Sequence, residues 1–322
     1  MKRDLRIVFM GSPGFAVTSL ASLLEAGFNV VGVVTAPDKQ AGRGREIKMT
    51  DVKTFALTKG LPVLQPENLK DPDFYQQLVS LRPNLGIVVA FRMLPEIIWS
   101  YPEYGTFNLH ASLLPQYRGA APINHAIING ESETGLTTFF LKHEIDTGNI
   151  LFRERIPIEN HENFGELHDK LMHAGASLVI KTCEAIQNNS YNLIAQQELI
   201  QPGEILRTAP KIFKEHCRIN WYENSWNIYN LIRGLSPTPA AFTEFAGPNG
   251  EVFPVKVFKA DFRLNSHSEN PGNLLLKDKK ELVVFARDGM IIIKELQAAG
   301  KKRISAREFL NGFLLTPEWK MR

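Results

Sequence analysis

Two rhythms of apolar and polar residues divide this chain. Across the first two-thirds, strand-length apolar runs alternate with stretches whose apolar positions recur at helical spacing. Residues 5–11 read as a strand, and residues 16–25 as a helix carrying Val17, Leu20, Leu23 and Leu24, with Gly27 as its C-terminal cap. A strand at 29–35, a helix near 50–59, a short strand at 61–64, a helix at about 72–81 and a buried strand at 85–90 continue the alternation. Residues 106–111 read as a strand end, 135–141 as a β-rich run within a strand pair over 136–158, and 163 to about 187 as a closing helix. Such alternation predicts an α/β domain built on a mostly parallel sheet covered by helices.

The rhythm then changes. Residues 188–208 are polar, weakly periodic and interrupted by Pro202-Gly203, so a linker is expected at 190–208, between a first domain at 1–189 and a second at 209–322. In the second, residues 251–261 alternate as a strand, and 282–286 pairs with 290–296 through Asp288-Gly289, a hairpin turn. Ser305-Ala306-Arg307-Glu308 is a capping box that opens a short final helix. A small β-barrel with helical additions is the expected outcome.

Composition adds size and a charge boundary. The 322 residues, 44% hydrophobic and 22% charged, suffice for two cores. The apolar run after Met1-Lys2-Arg3-Asp4 is too short for a secretory core, and no stretch approaches the roughly 20 apolar residues that span a bilayer. Cys183 and Cys217 lack metal-type spacing and form no disulfide framework, so a reducing cytoplasm is expected. Residues 1–208 hold 19 basic against 22 acidic residues, net −3, whereas 209–322 hold 18 against 12, net +6. A cationic surface on a small barrel suits sequence-independent contact with a phosphate backbone, although either cluster alone, Lys277-Asp278-Lys279-Lys280 or Lys301-Lys302-Arg303, is equally a solvated turn.

The densest chemistry lies in Asn108-Leu109-His110-Ala111-Ser112-Leu113-Leu114-Pro115 and, 31 residues on, Asp146-Thr147-Gly148. Asn108 and His110, two apart on a strand, project from one face. The following loop leaves the carboxyl end of a strand, the edge where open α/β sheets bind ligands, and the run at 135–141 is expected to return Asp146 to that edge. An amide, an imidazole and a carboxylate together are suited to moving a one-carbon acyl unit onto an amine. Alone, each has an ordinary structural reading: a histidine packed beside a strand, a plain Asp-Thr-Gly turn. The ordered set, with Arg118-Gly119-Ala120-Ala121-Pro122-Ile123 between its halves, is far more specific.

That set resembles the folate-dependent formyltransferase family, and within it the enzymes that act on tRNA. The likeness extends to Gly11-Ser12-Pro13-Gly14-Phe15-Ala16-Val17, Pro37 to Arg45, Leu64-Gln65-Pro66, Arg218-Ile219-Asn220-Trp221 and Ala298-Ala299-Gly300-Lys301-Lys302. It implies a formyltransferase-type, Rossmann-like sheet domain followed by an OB-like barrel. It further implies transfer of the formyl group of 10-formyltetrahydrofolate to the α-amine of initiator methionyl-tRNA, for translation initiation, without a metal, membrane or protein partner and by a monomer.

The resemblance also implies roles. Asn108 donates to the developing oxyanion, His110 stabilises the same oxygen, and Asp146 sustains the charge on His110 and handles protons. Ser112, Leu113, Leu114 and Pro115 match the segment that contacts tetrahydrofolate, and Phe91, Arg92, Met93 and Leu94 frame the pterin. The basic loop at 38–53 corresponds to one that meets the tRNA acceptor stem, with Arg43 the principal contact and Arg45 and Lys48 lesser ones.

Two departures stand near the site. Phe91-Arg92-Met93-Leu94-Pro95 is one residue shorter than the usual Tyr-Gly-x-x-Leu-Pro, and His143-Glu144 replaces an acidic residue and a glycine, which raises the question of whether His143 perturbs Asp146. Other readings carry their own marks. A glycinamide ribonucleotide formyltransferase would end near residue 200 with a glycine-rich phosphate turn at its start. A sugar-nucleotide N-formyltransferase could append a second domain but has no need of the Arg43 loop and basic tail, and a non-enzymatic RNA-binding module has no need of the trio. A nicotinamide enzyme is disfavoured because Pro13 interrupts the Gly-x-Gly-x-x-Gly spacing at the first turn.

Overall fold

The computed structural model describes residues 2–41, 46–277, 281–313, 315–316 and 318–322. In chain order its first elements are β1 (Arg6–Gly11), α1 (Gly14–Glu25), β2 (Asn29–Val34), β3 (Lys39–Ala41), β4 (Glu46–Lys48), α2 (Asp51–Thr58), β5 (Val63–Leu64), α3 (Pro72–Ser80), β6 (Leu85–Val89) and α4 (Glu96–Trp99). Then follow β7 (Thr106–His110), β8 (Arg118–Gly119), α5 (Pro122–Ile128), β9 (Glu133–Phe140), β10 (Ile150–Pro157), α6 (Phe164–Asn188) and β11 (Thr208–Ala209). The tail holds α7 (Ser225–Leu235), β12 (Ala241–Ala246), β13 (Val252–Leu264), β14 (Leu274–Lys277), β15 (Glu281–Phe285), β16 (Gly289–Ala298), β17 (Ile304–Ser305), α8 (Ala306–Gly312) and β18 (Lys320–Met321).

These fall into two compact units. One comprises Met1–Gly119, Thr134–Pro157 and His168–Thr208; the other comprises Ala120–Glu133, Ile158–Leu167 and Ala209–Arg322. Among the described residues, no helix is long and apolar enough to cross a membrane.

The first unit is a seven-stranded sheet in the order β10-β9-β7-β6-β1-β2-β5. The pairs β1–β2, β1–β6, β2–β5 and β6–β7 are parallel, as the alternating pattern requires. Ile7, Val8, Phe9 and Met10 of β1 are fully buried, because a central strand covered on both faces needs a continuous apolar run. Gly11 ends that strand where backbone and helix approach closely: a Cβ there would lie 2.7 Å from the Ala16 Cβ and 2.9 Å from the Val89 carbonyl. Helix α2 begins at Thr50, whose hydroxyl accepts from the Lys53 N–H at 3.1 Å, and α3 begins with Asp71 as cap and Pro72 in its first turn.

The second unit carries antiparallel strands in the order β14-β15-β16-β13-β12-β18, with β17 paired to β16. A bridge between Asn273 and Lys320 brings the two ends of that order together, so the sheet is a nearly closed barrel. Its core gathers Trp221, Phe245, Val257, Leu282, Ile291, Leu296 and Phe309 with the apolar face of α7. The 282–296 hairpin forms as expected, with the Ala286 N–H donating to the Gly289 carbonyl at 2.8 Å. The capping box is reciprocal: the Ser305 N–H donates to Glu308 at 2.8 Å and the Glu308 N–H to the Ser305 hydroxyl at 3.2 Å. The Ser305 hydroxyl also donates to the Glu308 carboxylate at 2.7 Å, and that bond, followed by the one from the Ser305 N–H, holds the Glu308 carboxyl below the usual carboxylate range.

Candidate active site

Asn108 and His110 lie on β7, with Val88 of β6 beside Asn108 on one side and Thr137 of β9 opposite His110 on the other. Among the described residues no hydrogen bond reaches the Asn108 side-chain amide. The His110 Nε2 lies 2.9 Å from the Tyr117 carbonyl oxygen. A carbonyl only accepts, so Nε2 carries a proton and Nδ1 is the atom left to exchange one. Nδ1 faces Asp146 Oδ2 at 3.9 Å, with the two side chains 7% and 13% exposed. Burial excludes water from between the two groups, which strengthens their attraction whenever the imidazole carries a second proton.

Asp146 arrives by a different route from the one expected. Strand β9 runs antiparallel to β7, so Phe140 lies opposite Phe107, at the wrong end of β7. The segment after Phe140 therefore folds back to return the carboxylate to His110. That return turns at Asp146 itself, whose φ of 54° is left-handed, a region aspartate tolerates. Gly148 permits it, because a Cβ there would overlap the Phe140 carbonyl. The Gly119 N–H donates to Asp146 Oδ2 at 3.0 Å and fixes the carboxylate from the other side. Buried Gln196, in the polar stretch where the sequence offered no pattern, donates to the Asp146 and Gly148 carbonyls at 2.8 and 2.9 Å. Its side chain has no periodic signature and sequence reasoning missed it.

Ser112, Leu114 and Pro115 are buried, and their contacts are internal. The Ser112 hydroxyl donates to the Gln116 carbonyl at 2.6 Å, while Thr137 Oγ1 donates to the Ser112 carbonyl at 2.7 Å and accepts from the Leu114 N–H at 3.1 Å. Thr137, the register partner of His110, thus anchors the loop that follows His110. Leu113 is half-buried.

Of the four residues expected around a pterin, Met93 is open, at 73% exposed, whereas Leu94 packs into the cluster of Val8, Met10, Phe74, Val88 and Ile98, with Phe91 against it. Arg92 is engaged with backbone: it donates to the Glu67 carbonyl at 2.8 Å and to that of Pro66, and its burial lowers the guanidinium pKa from the ordinary arginine value. His143 lies 3.0 Å from Glu96 and edge-on to Trp99, which engages its ring with those two residues.

The sequence landmarks beyond β1, β2 and β5 are tied to one another. The Ser12 hydroxyl accepts from the Ala36 N–H at 3.1 Å and from Thr35 Oγ1 at 3.2 Å, and Gln65 donates to the Ala36 carbonyl and to Asp38, both at 2.9 Å. Lys53 completes the knot at 2.5 Å from Asp38, and together with Gln65 it holds that carboxyl below the usual range. Lys48 is exposed on β4, in register with Lys39 of β3. Arg43 and Arg45 lie outside the described residues.

In the second unit, Arg218, Asn220, Trp221, Tyr222, Lys320 and Arg322 help line an open cavity of about 770 Å³. Trp221 is locked by its indole N–H on Thr243 at 2.9 Å, and Arg218 pairs with Glu244 at 2.8 Å, which accounts for two positions of the Arg218-Ile219-Asn220-Trp221 landmark. Lys301 and Lys302 are exposed, while Arg303 pairs with Glu295 and covers the Phe258 ring.

Residues 5–183 match the family described as formyl transferase, and residues 211–314 match the formyl transferase C-terminal domain. A methionyl-tRNA formyltransferase of Bacteroides fragilis is 54% identical over 321 residues, covering 100% of this chain and 99% of its own. One from Flavobacterium johnsoniae is 48% identical over 317 residues, covering 98% and 99%. Among solved structures, an N-formyltransferase from Helicobacter canadensis in complex with folinic acid and dTDP-3-aminofucose has a TM-score of 0.63 at 20% identity, covering 91% of this chain and 99% of that one. HypX from Aquifex aeolicus in complex with tetrahydrofolic acid has a TM-score of 0.62 at 17% identity, covering 97% of this chain and 48% of that one. At these identities the two structures share a fold with this chain and nothing finer.

Proposed function

The chain belongs to the formyl transferase family, and from that membership we propose that it moves a formyl group from a folate-derived donor onto the free α-amine of methionyl-tRNA. Relatives bearing the methionyl-tRNA formyltransferase name align over essentially the whole chain at about half identity, barrel included. The sugar N-formyltransferase reading rests on likenesses of 17–21% identity, at the level of fold. The observation that carries the proposal is the His110–Asp146 pair with the unpartnered Asn108 amide on the same strand face.

The residues fit 10-formyltetrahydrofolate as the donor. An amide with no protein partner is available to a carbonyl, and exposed Met93 beside half-buried Phe91 offers apolar surface to a flat heterocycle. When bound, that donor supplies an activated formyl carbon with N10 as the leaving group. Asn108 donates an N–H to the formyl oxygen as it gains negative charge, a contribution typically of about 3–4 kcal/mol. His110, protonated on Nδ1 as well as Nε2, adds positive charge on the same face. Asp146 stabilises that imidazolium and passes the proton released by the attacking amine to N10 as the N10–formyl bond breaks, directly or through water.

Initiator methionyl-tRNA is the acceptor in this reading. Lys301, Lys302 and the cations around the barrel cavity supply phosphate contacts, while Arg43, Arg45 and Lys48 meet the acceptor end. The enzyme acts as a monomer in the cytoplasm. The test is direct: purified protein is incubated with 10-formyltetrahydrofolate and radiolabelled methionyl-tRNA, with an amino-sugar nucleotide as competing acceptor. Label recovered as formylmethionine supports the reading; formylation of the amino sugar alone replaces it.

A further inference from the structure

Gln196 opens a single 3-10 turn, Gln196–Leu199, and is completely buried. Its amide has two donor hydrogens and two acceptor lone pairs, and all are used. Nε2 donates to the carbonyls of Asp146 and Gly148, at 2.8 and 2.9 Å, on either side of Thr147. Oε1 accepts from Nε and Nη2 of Arg118, at 3.1 and 2.6 Å. The next residue, Gly119, donates its N–H to Asp146 Oδ2 at 3.0 Å. The bonds close a ring that runs from the Asp146 backbone through Gln196, Arg118 and Gly119 to the Asp146 carboxylate.

We propose that Gln196 is a positioning residue of the formyl transfer site, whose amide couples the left-handed Asp146 turn to Arg118-Gly119 and so sets the carboxylate against His110. The inference rests on the acyl-transfer reading given above. Two features require an amide. The turn presents two carbonyls to one group, which demands two donors, and the guanidinium presents two N–H groups, which demand acceptors. A carboxylate supplies only the second, an amine only the first. Asp146 sits at φ 54° with Gly148 against the Phe140 carbonyl, so the turn holds its shape through bonds to its carbonyls. The Gln196 amide at the centre of this half-buried ring is buried and fully satisfied, which makes the ring rigid and holds Asp146 Oδ2 at 3.9 Å from His110 Nδ1.

Three variants cut the ring at different bonds. Gln196→Glu keeps the Arg118 limb and loses both donors, Gln196→Met loses both limbs, and Arg118→Lys breaks the fork. Each is measured for single-turnover formylation, for KM of methionyl-tRNA, and for NMR hydrogen exchange of the Gly119 amide, in the native and Asp146→Asn backgrounds. Each variant is expected to lower the transfer rate by about 10- to 100-fold with KM within about twofold, and to cost less than about threefold once Asp146 is already asparagine, because groups acting as a unit are non-additive. Exchange at Gly119 is expected to rise at least about tenfold as its acceptor moves. Losses that multiply in the Asp146→Asn background, or Gly119 exchange that stays protected, overturn the proposal. If Gln196→Met does not fold, Gln196→Glu and Arg118→Lys decide. If the native protein does not formylate methionyl-tRNA, the functional reading has failed, and the Gly119 exchange still decides whether the ring holds Asp146.

Discussion

The carbonyl of Tyr117 accepts from Nε2 of His110 at 2.9 Å, and this one contact fixes which imidazole nitrogen faces Asp146. Replacement by glutamine separates the two functions of that ring. In His110→Gln the new side-chain amide can still place an N–H near the Tyr117 carbonyl, but no cation can then stand beside the carboxylate. The variant should fold, with thermal stability lowered by no more than a few degrees, and its single-turnover rate should fall by about 100- to 1,000-fold, the scale for one lost oxyanion stabiliser. Near-normal turnover in the folded variant would reduce His110 to a packing residue.

Asp146→Asn tests charge without shape. Asparagine tolerates the left-handed backbone as well as aspartate does, and its side-chain oxygen can still accept from the Gly119 N–H, so the turn is preserved. What disappears is the negative charge beside His110 and the proton acceptor. Transfer should slow by two or more orders of magnitude, each tenfold being about 1.4 kcal/mol of transition-state stabilisation. Circular dichroism melts and folate binding should stay close to those of the parent. A folded Asn variant with parent-like rates excludes Asp146 from the chemistry.

Asn108→Ala has an unusual signature because, among the described residues, the amide bonds to nothing else in the protein. Removing a half-buried side chain with no internal hydrogen bond leaves no orphaned partner, so the stability loss should be under about 1 kcal/mol. The rate should nevertheless drop about 100- to 1,000-fold, the scale for one oxyanion donor. If instead tRNA affinity falls and the saturated rate is unchanged, Asn108 docks the acceptor.

Much of this arrangement is legible in the sequence. Buried parallel strands must be continuous apolar runs, so β1, β2 and β6 announce themselves, and a strand's period of two puts Asn108 and His110 on one face. Strand direction has no such local mark. Nothing in residues 135–141 distinguishes an antiparallel β9, so the folded-back path to Asp146 emerged only with the register. Gln196 shows the second limit: a polar residue in a polar stretch looks solvated, and its burial depends on the Asp146 carbonyl, 50 positions away. Helix α7 shows a third. Asn224 caps it, accepting from the Asn227 N–H, and Ile228, Ile232 and Leu235 recur at helical spacing, yet it sits in a tail whose stronger signal is strand alternation.

The charge boundary gives the last test, because position in the fold separates two kinds of tRNA contact. Lys301 and Lys302 are exposed at a barrel turn and engage phosphates in the proposed reading, so Lys301→Ala with Lys302→Ala should weaken tRNA binding for any tRNA. Every phosphate that the variant no longer neutralises should flatten the plot of log affinity against log salt by about 0.7 to 0.9. Formylation at saturating tRNA should barely change. Arg43→Ala should do the reverse, since a residue that seats the acceptor end contributes little to bulk affinity and much to the alignment of the amine, worth about 100-fold for an ångström of misplacement. Titrations at several salt concentrations, run beside single-turnover rates, separate the two. An unchanged salt slope in the double lysine variant would move the tRNA platform off this turn, and the cations around the barrel cavity, Arg218, Lys320 and Arg322, would be the next set to neutralise.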